Sequence, residues 1–93
     1  MSFNDLSYYK EFLSNDMNQT ELICLEAIKQ NPEAILYVRK QTNEIKLETV
    51  RRNGLLLEYI RQPTLEVCEE AIKQNELAKK YIRSPSLKQK LGI

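Results

Sequence analysis

Three consecutive stretches of this chain align without a gap at a fixed spacing. They begin at residues 19, 41 and 63, each with Gln-Thr or Pro-Thr, and so repeat every 22 residues. Self-similarity at a fixed period is typical of repeat architectures, in which each unit buries its apolar face against the next. We call residues 19–40, 41–62 and 63–84 unit 1, unit 2 and unit 3.

Each unit reads as a helix, a tight corner and a shorter helix. Thr20 precedes an apolar run with helical periodicity, so it is a candidate N-cap of a helix from about residue 21 to 30. Thr42 and Thr64 repeat this signal, and Ser86 repeats it after unit 3. Asn31-Pro32 then ends the first helix and begins a second one, which runs to near residue 39.

The columns of the alignment predict which side chains face the core. Apolar or small residues recur at five of them. These columns are Ile23, Ile45, Val67; Ala27, Thr49, Ala71; Ile28, Val50, Ile72; Ala34, Leu56, Ala78; and Val38, Ile60, Ile82. Since neither helix of a unit can bury its apolar face alone, stacking of neighbouring units supplies the core.

The two ends depart from the repeat, as caps do. Residues 4–14 predict an amphipathic helix that covers unit 1 with Leu6, Tyr9 and Leu13 or Phe12. Residues 85–93 predict a short helix that stops at Gly92. The predicted fold is all-α, a short α-solenoid of three 22-residue two-helix repeats in one domain, 1–93. Residues 1–18 form its N-terminal cap and 85–93 its C-terminal cap.

The phrases AIKQNPEAILYVRKQT, RRNGLLLEYIRQPT and AIKQNELAKKYIRSP resemble a family of short tandem helical repeats of unknown function (DUF 4116-like). The resemblance covers roughly residues 19–84 and departs from the family pattern at Gly54, Glu76 and Thr49. It implies an all-helical repeat fold and a setting in giant viruses, bacteriophages or bacteria. The family carries no established activity, so the resemblance assigns no catalytic residue.

Composition argues against most chemistry. The chain has no histidine, two cysteines and two glycines, so it offers no Ser–His or Cys–His arrangement, no zinc set and no glycine-rich phosphate loop. We expect no enzymatic activity, no cofactor and no metal. Cys24 and Cys68, two units apart, are expected to stay reduced. Without an apolar run long enough for a membrane, the expected location is the cytoplasm, or the host cytoplasm for a viral protein.

Two columns of cations and one of tyrosines recur, and each has a structural and a functional interpretation. They are Lys29, Arg51, Lys73; Arg39, Arg61, Arg83; and Tyr37, Tyr59, Tyr81. Phosphate binding and base stacking are the functional interpretations. We favour the structural ones: last-turn cations that complement helix dipoles, ion pairs three residues apart with Glu26, Glu48 and Glu70, and part-buried tyrosines.

The candidate binding residues come from the remaining positions. The polar column Gln30, Arg52 and Gln74 is not needed for packing and would be the reading position of a nucleic-acid module. In unit 2, three consecutive leucines cannot all face one core, so Leu55 should lie outward or at a helix edge. Near Tyr59 and Arg61 it is a candidate hot spot for a protein, although filling the corner between units is as good an interpretation.

Three functions follow from these patterns. The preferred one is a small non-enzymatic adaptor that binds a protein, such as a viral or phage factor acting on a host complex. Nucleic-acid binding is an alternative that a net charge of only +1 disfavours. The third is a structural protein that self-associates through the solenoid ends, which predicts a monomer or a weak homodimer.

Overall fold

Over residues 5–93, which a computed structural model of the protein describes, helices alternate with short extended links. The α-helices are Leu6–Ser14 (α1), Glu21–Gln30 (α2), Asn43–Arg52 (α3), Leu65–Gln74 (α4) and Pro85–Leu91 (α5). Four 3₁₀ helices within the same residues span Asp16–Asn18, Pro32–Tyr37, Gly54–Tyr59 and Glu76–Tyr81. Because this described part contains no β-strand, the prediction of an all-α fold is confirmed.

A threonine begins the α-helix of every unit. The hydroxyl oxygen of Thr42 accepts a hydrogen bond from the backbone N–H of Ile45 at 3.3 Å. Thr20 and Thr64 do the same for α2 and α4. These side chains satisfy N–H groups that have no partner within the helix. The predicted α-helix over residues 21–30 is confirmed.

The last helix begins two residues earlier than the 22-residue spacing predicts. Ser84, not Ser86, is the N-cap of α5, and its hydroxyl accepts from the N–H of Leu87 at 3.3 Å. Pro85 takes the first helical position, where its fixed φ fits and its missing N–H leaves no bond unmade. The prediction of Ser86 as the cap was therefore wrong, and α5 is out of register with the other helices.

An asparagine turns the chain inside each unit. The N–H of Asn53 donates to the carbonyl of Thr49 at 3.0 Å, and its Oδ1 accepts from the N–H of Leu55 at 3.1 Å. Asn31 and Asn75 make the equivalent backbone bond and the equivalent cap. Each asparagine therefore ends one helix and begins the next, as predicted.

The second helix of each unit is a six-residue 3₁₀ helix rather than an α-helix. It ends at Tyr37, Tyr59 or Tyr81, and the next residue is already extended, with φ −84° and ψ 121° at Val38. Arg39 therefore follows the helix instead of closing its last turn. The predicted dipole role of the Arg39 column is wrong for this reason.

The predicted core columns are largely correct. All their members are buried except Ile23 and Ile72, which are half-buried. Ile35, Leu57 and Leu47 are buried as well, although they lie outside the five predicted core columns.

Successive elements pack in chain order. Helix α2 packs on α3 and α3 on α4, and each six-residue 3₁₀ helix contacts the next. At the N-terminal end α1 packs on the Pro32–Tyr37 helix and buries Tyr9 and Leu13, whereas Phe12 is half-buried. At the other end Leu87 and Leu91 of α5 pack against the core. The N-terminal cap helix is confirmed from Leu6, and its predicted first residue, 4, lies outside the described residues.

Polar groups at the unit boundaries are matched in pairs. Between units 2 and 3, the N–H of Gly54 donates to Oε1 of Gln74 at 2.6 Å. Between units 1 and 2 the equivalent residue is Pro32, which has no N–H, and the partner position holds Arg52, which has no acceptor. Arg52 instead donates to the carbonyl of Lys29 at 3.2 Å. The polar groups at both boundaries therefore have hydrogen-bond partners, which different residues supply.

The protein is expected to lose stability as the pH rises above about 9.0, the ordinary pKa of a thiol. Cys24 and Cys68 are buried free thiols, and burial raises the pKa of both because the core solvates a thiolate poorly. Above this pH the unfolded chain releases protons that the native state keeps. The native state then binds more protons, so a further rise in pH destabilises it.

Urea titrations at neutral and alkaline pH measure this effect. A variant with both cysteines changed to alanine is the control and should have a shallower alkaline slope. In this variant the free energy of unfolding should still fall somewhat with pH. Part of that fall comes from Tyr9, whose pKa is also raised, mainly by burial and then by Tyr8. An alkaline slope as steep as that of the natural sequence would contradict the assignment.

Candidate functional site

A glutamine at the first position of units 1 and 2 binds the end of the 3₁₀ helix in its own unit. Nε2 of Gln41 donates to the carbonyl of Tyr59 at 2.9 Å, and Oε1 accepts from the backbone N–H of Arg61 at 2.7 Å. Gln19 binds the equivalent two groups of unit 1 at 2.9 and 3.1 Å. We call this pair of hydrogen bonds the glutamine clamp.

Unit 3 has no glutamine clamp, because its first residue is Pro63. The carbonyl of Tyr81 and the backbone N–H of Arg83 therefore have no hydrogen-bond partner within residues 5–93. Ile82 lies between them with φ −84° and ψ 113°, close to the −87° and 123° of Ile60 in unit 2. The two backbone groups thus keep the arrangement that a clamp requires.

The arginine that follows the 3₁₀ helix contacts the preceding part of the chain in units 1 and 2. Nη2 of Arg61 donates to the carbonyl of Arg39 at 2.6 Å. Nη2 of Arg39 donates to the carbonyl of Ser14 at 2.9 Å, and its guanidinium pairs with Asp16. Arg83 forms no hydrogen bond or ion pair with the residues that the structure describes. The boundary between units 2 and 3 therefore lacks this contact too.

A groove opens at this boundary, with a volume of about 660 Å³. We call it the inter-unit groove, and its wall includes Tyr59, Arg61, Gln62, Pro63, Tyr81 and Arg83. Leu87 of α5 adds an apolar side chain at the edge. The volume lies within the roughly 300–1,000 Å³ typical of ligand pockets.

Two residues of the groove wall have unusual surroundings or geometry. The side chain of Tyr59 is 42% exposed, and the nearby Glu58 carboxylate raises the pKa of its phenol, which stays protonated at neutral pH. Gln62 has a φ of 48°, a left-handed conformation that costs a non-glycine residue about 1–2 kcal/mol. Its carbonyl accepts from Nζ of Lys46 at 3.1 Å. Backbone strain of this kind clusters at functional sites.

Of the binding residues suggested by the sequence, Tyr59 and Arg61 lie in the inter-unit groove. Leu55 is half-buried beside the buried Leu56 and Leu57, so it is the outermost of the three leucines, as predicted. It is not part of the groove wall.

The polar column of Gln30, Arg52 and Gln74 is engaged between units. The hydroxyl of Tyr9 donates to Oε1 of Gln30 at 3.0 Å, which ties α1 to unit 1. Arg52 and Gln74 make the boundary contacts already described. All three residues are exposed, and each side chain bonds to the preceding part of the chain.

The predicted ion pairs of the helix surfaces are present in two of the three units. Lys29 pairs with Glu26 and Lys73 with Glu70, each at 3.7 Å. Arg51 differs, because it pairs with Glu70 of the next unit, also at 3.7 Å. Exposed pairs of this kind contribute little to stability.

The candidate binding residues taken from the sequence did not include Pro63, Tyr81 or Arg83 of the groove wall, although the last two belong to the tyrosine and arginine columns. The signal was present, since Pro63 is the only change in a column that otherwise holds glutamine. Its meaning depends on the contacts of Gln19 and Gln41 across about 20 residues, which periodicity does not reveal.

Comparison with known families gives one match. Residues 20–65 match the model of a family described as a domain of unknown function (DUF4116). The matched region ends just after Pro63, so Tyr81 and Arg83 lie beyond it. No curated protein and no solved structure matches the chain. In the described residues, every helix is too short or too polar to cross a membrane.

Proposed function

We propose that the protein is a short α-solenoid that binds another protein through the inter-unit groove. The supporting observation is a groove whose wall combines an exposed tyrosine with an arginine side chain and two backbone groups that have no hydrogen-bond partner among residues 5–93. Tyrosine and arginine are among the residues enriched at the energetic hot spots of protein interfaces. The solenoid part rests on the common order of elements in the three units and on the packing of α2, α3 and α4.

The arginine contacts favour a protein partner over a nucleic acid. A nucleic-acid module needs cations free to neutralise phosphates. In the arginine column, the guanidinium groups of Arg39 and Arg61 already bind backbone carbonyls, and Arg83 alone has no such contact within residues 5–93. Tyr59 is exposed, but Tyr37 and Tyr81 are half-buried and offer little ring surface for stacking.

The test is retention of a partner from the source cells by the immobilised protein and by point variants. Tyr59→Ala and Arg83→Glu change the groove without removing a contact on which the fold depends. Arg61→Glu would be a poorer choice, since Arg61 bonds to the carbonyl of Arg39. We expect each groove variant to weaken binding of a retained protein at least about tenfold, the scale of an interface hot spot.

Met17→Ala is the matched control, because Met17 is 81% exposed and lies at the N-terminal end, outside the groove. It should leave binding unchanged. The proposal fails if no protein is retained, or if a retained protein binds both groove variants as tightly as it binds the natural sequence. Retention that nuclease treatment abolishes would indicate nucleic-acid binding instead, and a second copy of the chain as the retained protein would indicate self-association.

A further inference from the structure

We propose that the inter-unit groove binds the carboxamide side chain of a glutamine presented by the partner protein. This inference rests on the proposed function and adds to it the chemistry of the bound group. The glutamine would take the place that Gln19 and Gln41 occupy in their own units.

The chain itself supplies the precedent. In units 1 and 2 a glutamine amide donates to a tyrosine carbonyl and accepts from the N–H of the arginine two residues later. The same two groups in unit 3 belong to Tyr81 and Arg83, and neither has a partner within residues 5–93. Since Ile82 and Ile60 share one backbone conformation, the spacing of carbonyl and N–H is preserved.

The pattern of donors and acceptors selects a carboxamide. The carbonyl of Tyr81 needs a donor and the N–H of Arg83 needs an acceptor. A carboxamide offers both from one planar group, whereas a carboxylate only accepts and an ammonium only donates. The matching side chain is therefore that of an amide residue rather than an acidic or basic one.

The groove has room for the segment that carries the glutamine. Its volume of about 660 Å³ exceeds that of one side chain. Pro63 and Leu87 give it apolar walls, against which the methylene groups of the glutamine can pack. The guanidinium of Arg83 can donate to a main-chain carbonyl of the same segment, as that of Arg61 does to Arg39.

The experiment uses the full chain and, as the probe, the capped tripeptide acetyl-Ala-Gln-Ala-N-methylamide, whose only primary carboxamide is the glutamine side chain. Nuclear magnetic resonance follows the backbone N–H of Arg83 during titration. We expect a saturable shift of this resonance with the glutamine probe. The matched probes carry methionine or glutamate in the central position and should produce no such shift. An unmoved Arg83 resonance, or an equal shift with the methionine probe, overturns the inference.

A substitution at residue 63 can place a glutamine of the chain itself at the proposed site. Pro63→Gln should form a third glutamine clamp, slow the hydrogen exchange of the Arg83 N–H and abolish the shift caused by the probe. Met17→Gln adds the same side chain on the exposed surface away from the groove and should change neither property. If Pro63→Gln leaves both the exchange of Arg83 and the binding of the probe unaltered, the inference is wrong.

The inference and the proposed function can fail separately. A partner that is lost with Tyr59→Ala and Arg83→Glu but binds Pro63→Gln normally would overturn the glutamine inference and leave protein binding standing. If the probe shifts the Arg83 resonance but no protein is retained from the cells, the proposed function is contradicted. The inference that a partner supplies the glutamine is then contradicted as well.

Discussion

Replacing Gly54 with alanine is expected to lower the free energy of unfolding by about 3 kcal/mol, the upper range for overpacking a tight contact. A Cβ atom at this position would lie 2.3 Å from the carbonyl oxygen of Ala71 and 3.0 Å from Oε1 of Gln74. The first neighbour is backbone of α4 and cannot move without shifting that helix. The displacement also weakens the hydrogen bond from Gly54 to Gln74.

Urea unfolding of Gly54→Ala measures this loss, and the chain provides a matched control. Glu76 occupies the same position in unit 3, where its side chain is exposed and, among residues 5–93, pairs only with Lys79. Glu76→Ala should therefore change stability by no more than about 0.5 kcal/mol. Similar losses for the two variants would contradict the close approach of α4 as the cause.

The second large effect is expected at the first position of each unit, where alanine variants should form a graded series. Gln19 makes three hydrogen bonds to the backbone, because Nε2 also donates to the carbonyl of Leu13 at 2.7 Å, and Gln41 makes two. At about 1 kcal/mol for each bond, Gln19→Ala should cost about 3 kcal/mol and Gln41→Ala about 2 kcal/mol.

Pro63→Ala completes the series, because Pro63 holds no clamp. Its expected cost is below about 1 kcal/mol and comes from the added freedom of the unfolded chain. Thermal and urea unfolding of the three variants rank them directly. Equal costs at the three positions would mean that the clamps contribute little and that the column matters for another reason.

The local structure of each unit could be predicted from sequence because its signals are local. The hydroxyl of Thr42 bonds to the N–H of Ile45, three residues later in the chain. Asn53 bonds to residues at most four positions away. The cap and the corner were therefore predicted correctly. The core columns follow from the same local periodicity, which marks the buried face of each helix.

The rest could not be predicted, because it depends on contacts between distant residues. A side chain that looks free in the alignment, such as Gln74, bonds to backbone 20 residues away. The amides of Gln19 and Gln41 likewise bond to the carbonyls of Tyr37 and Tyr59, each 18 residues further along the chain. The N-cap of α5 at Ser84 is an exception, because its signal in the neighbouring Pro85 is local but lies outside the 22-residue alignment. Tyr59 and Arg61 of the groove were candidate binding residues in the sequence, whereas Pro63 was not.

The paired polar groups at the unit boundaries also restrict how such a chain can be rearranged. Gln74 requires a preceding unit with an N–H at the position of Gly54, whereas Arg52 follows a unit that begins this helix with Pro32. Exchanging units 1 and 2 would place a proline against a glutamine acceptor and leave that acceptor empty. Units 1 and 2 therefore cannot be exchanged without the loss of a hydrogen bond at a unit boundary.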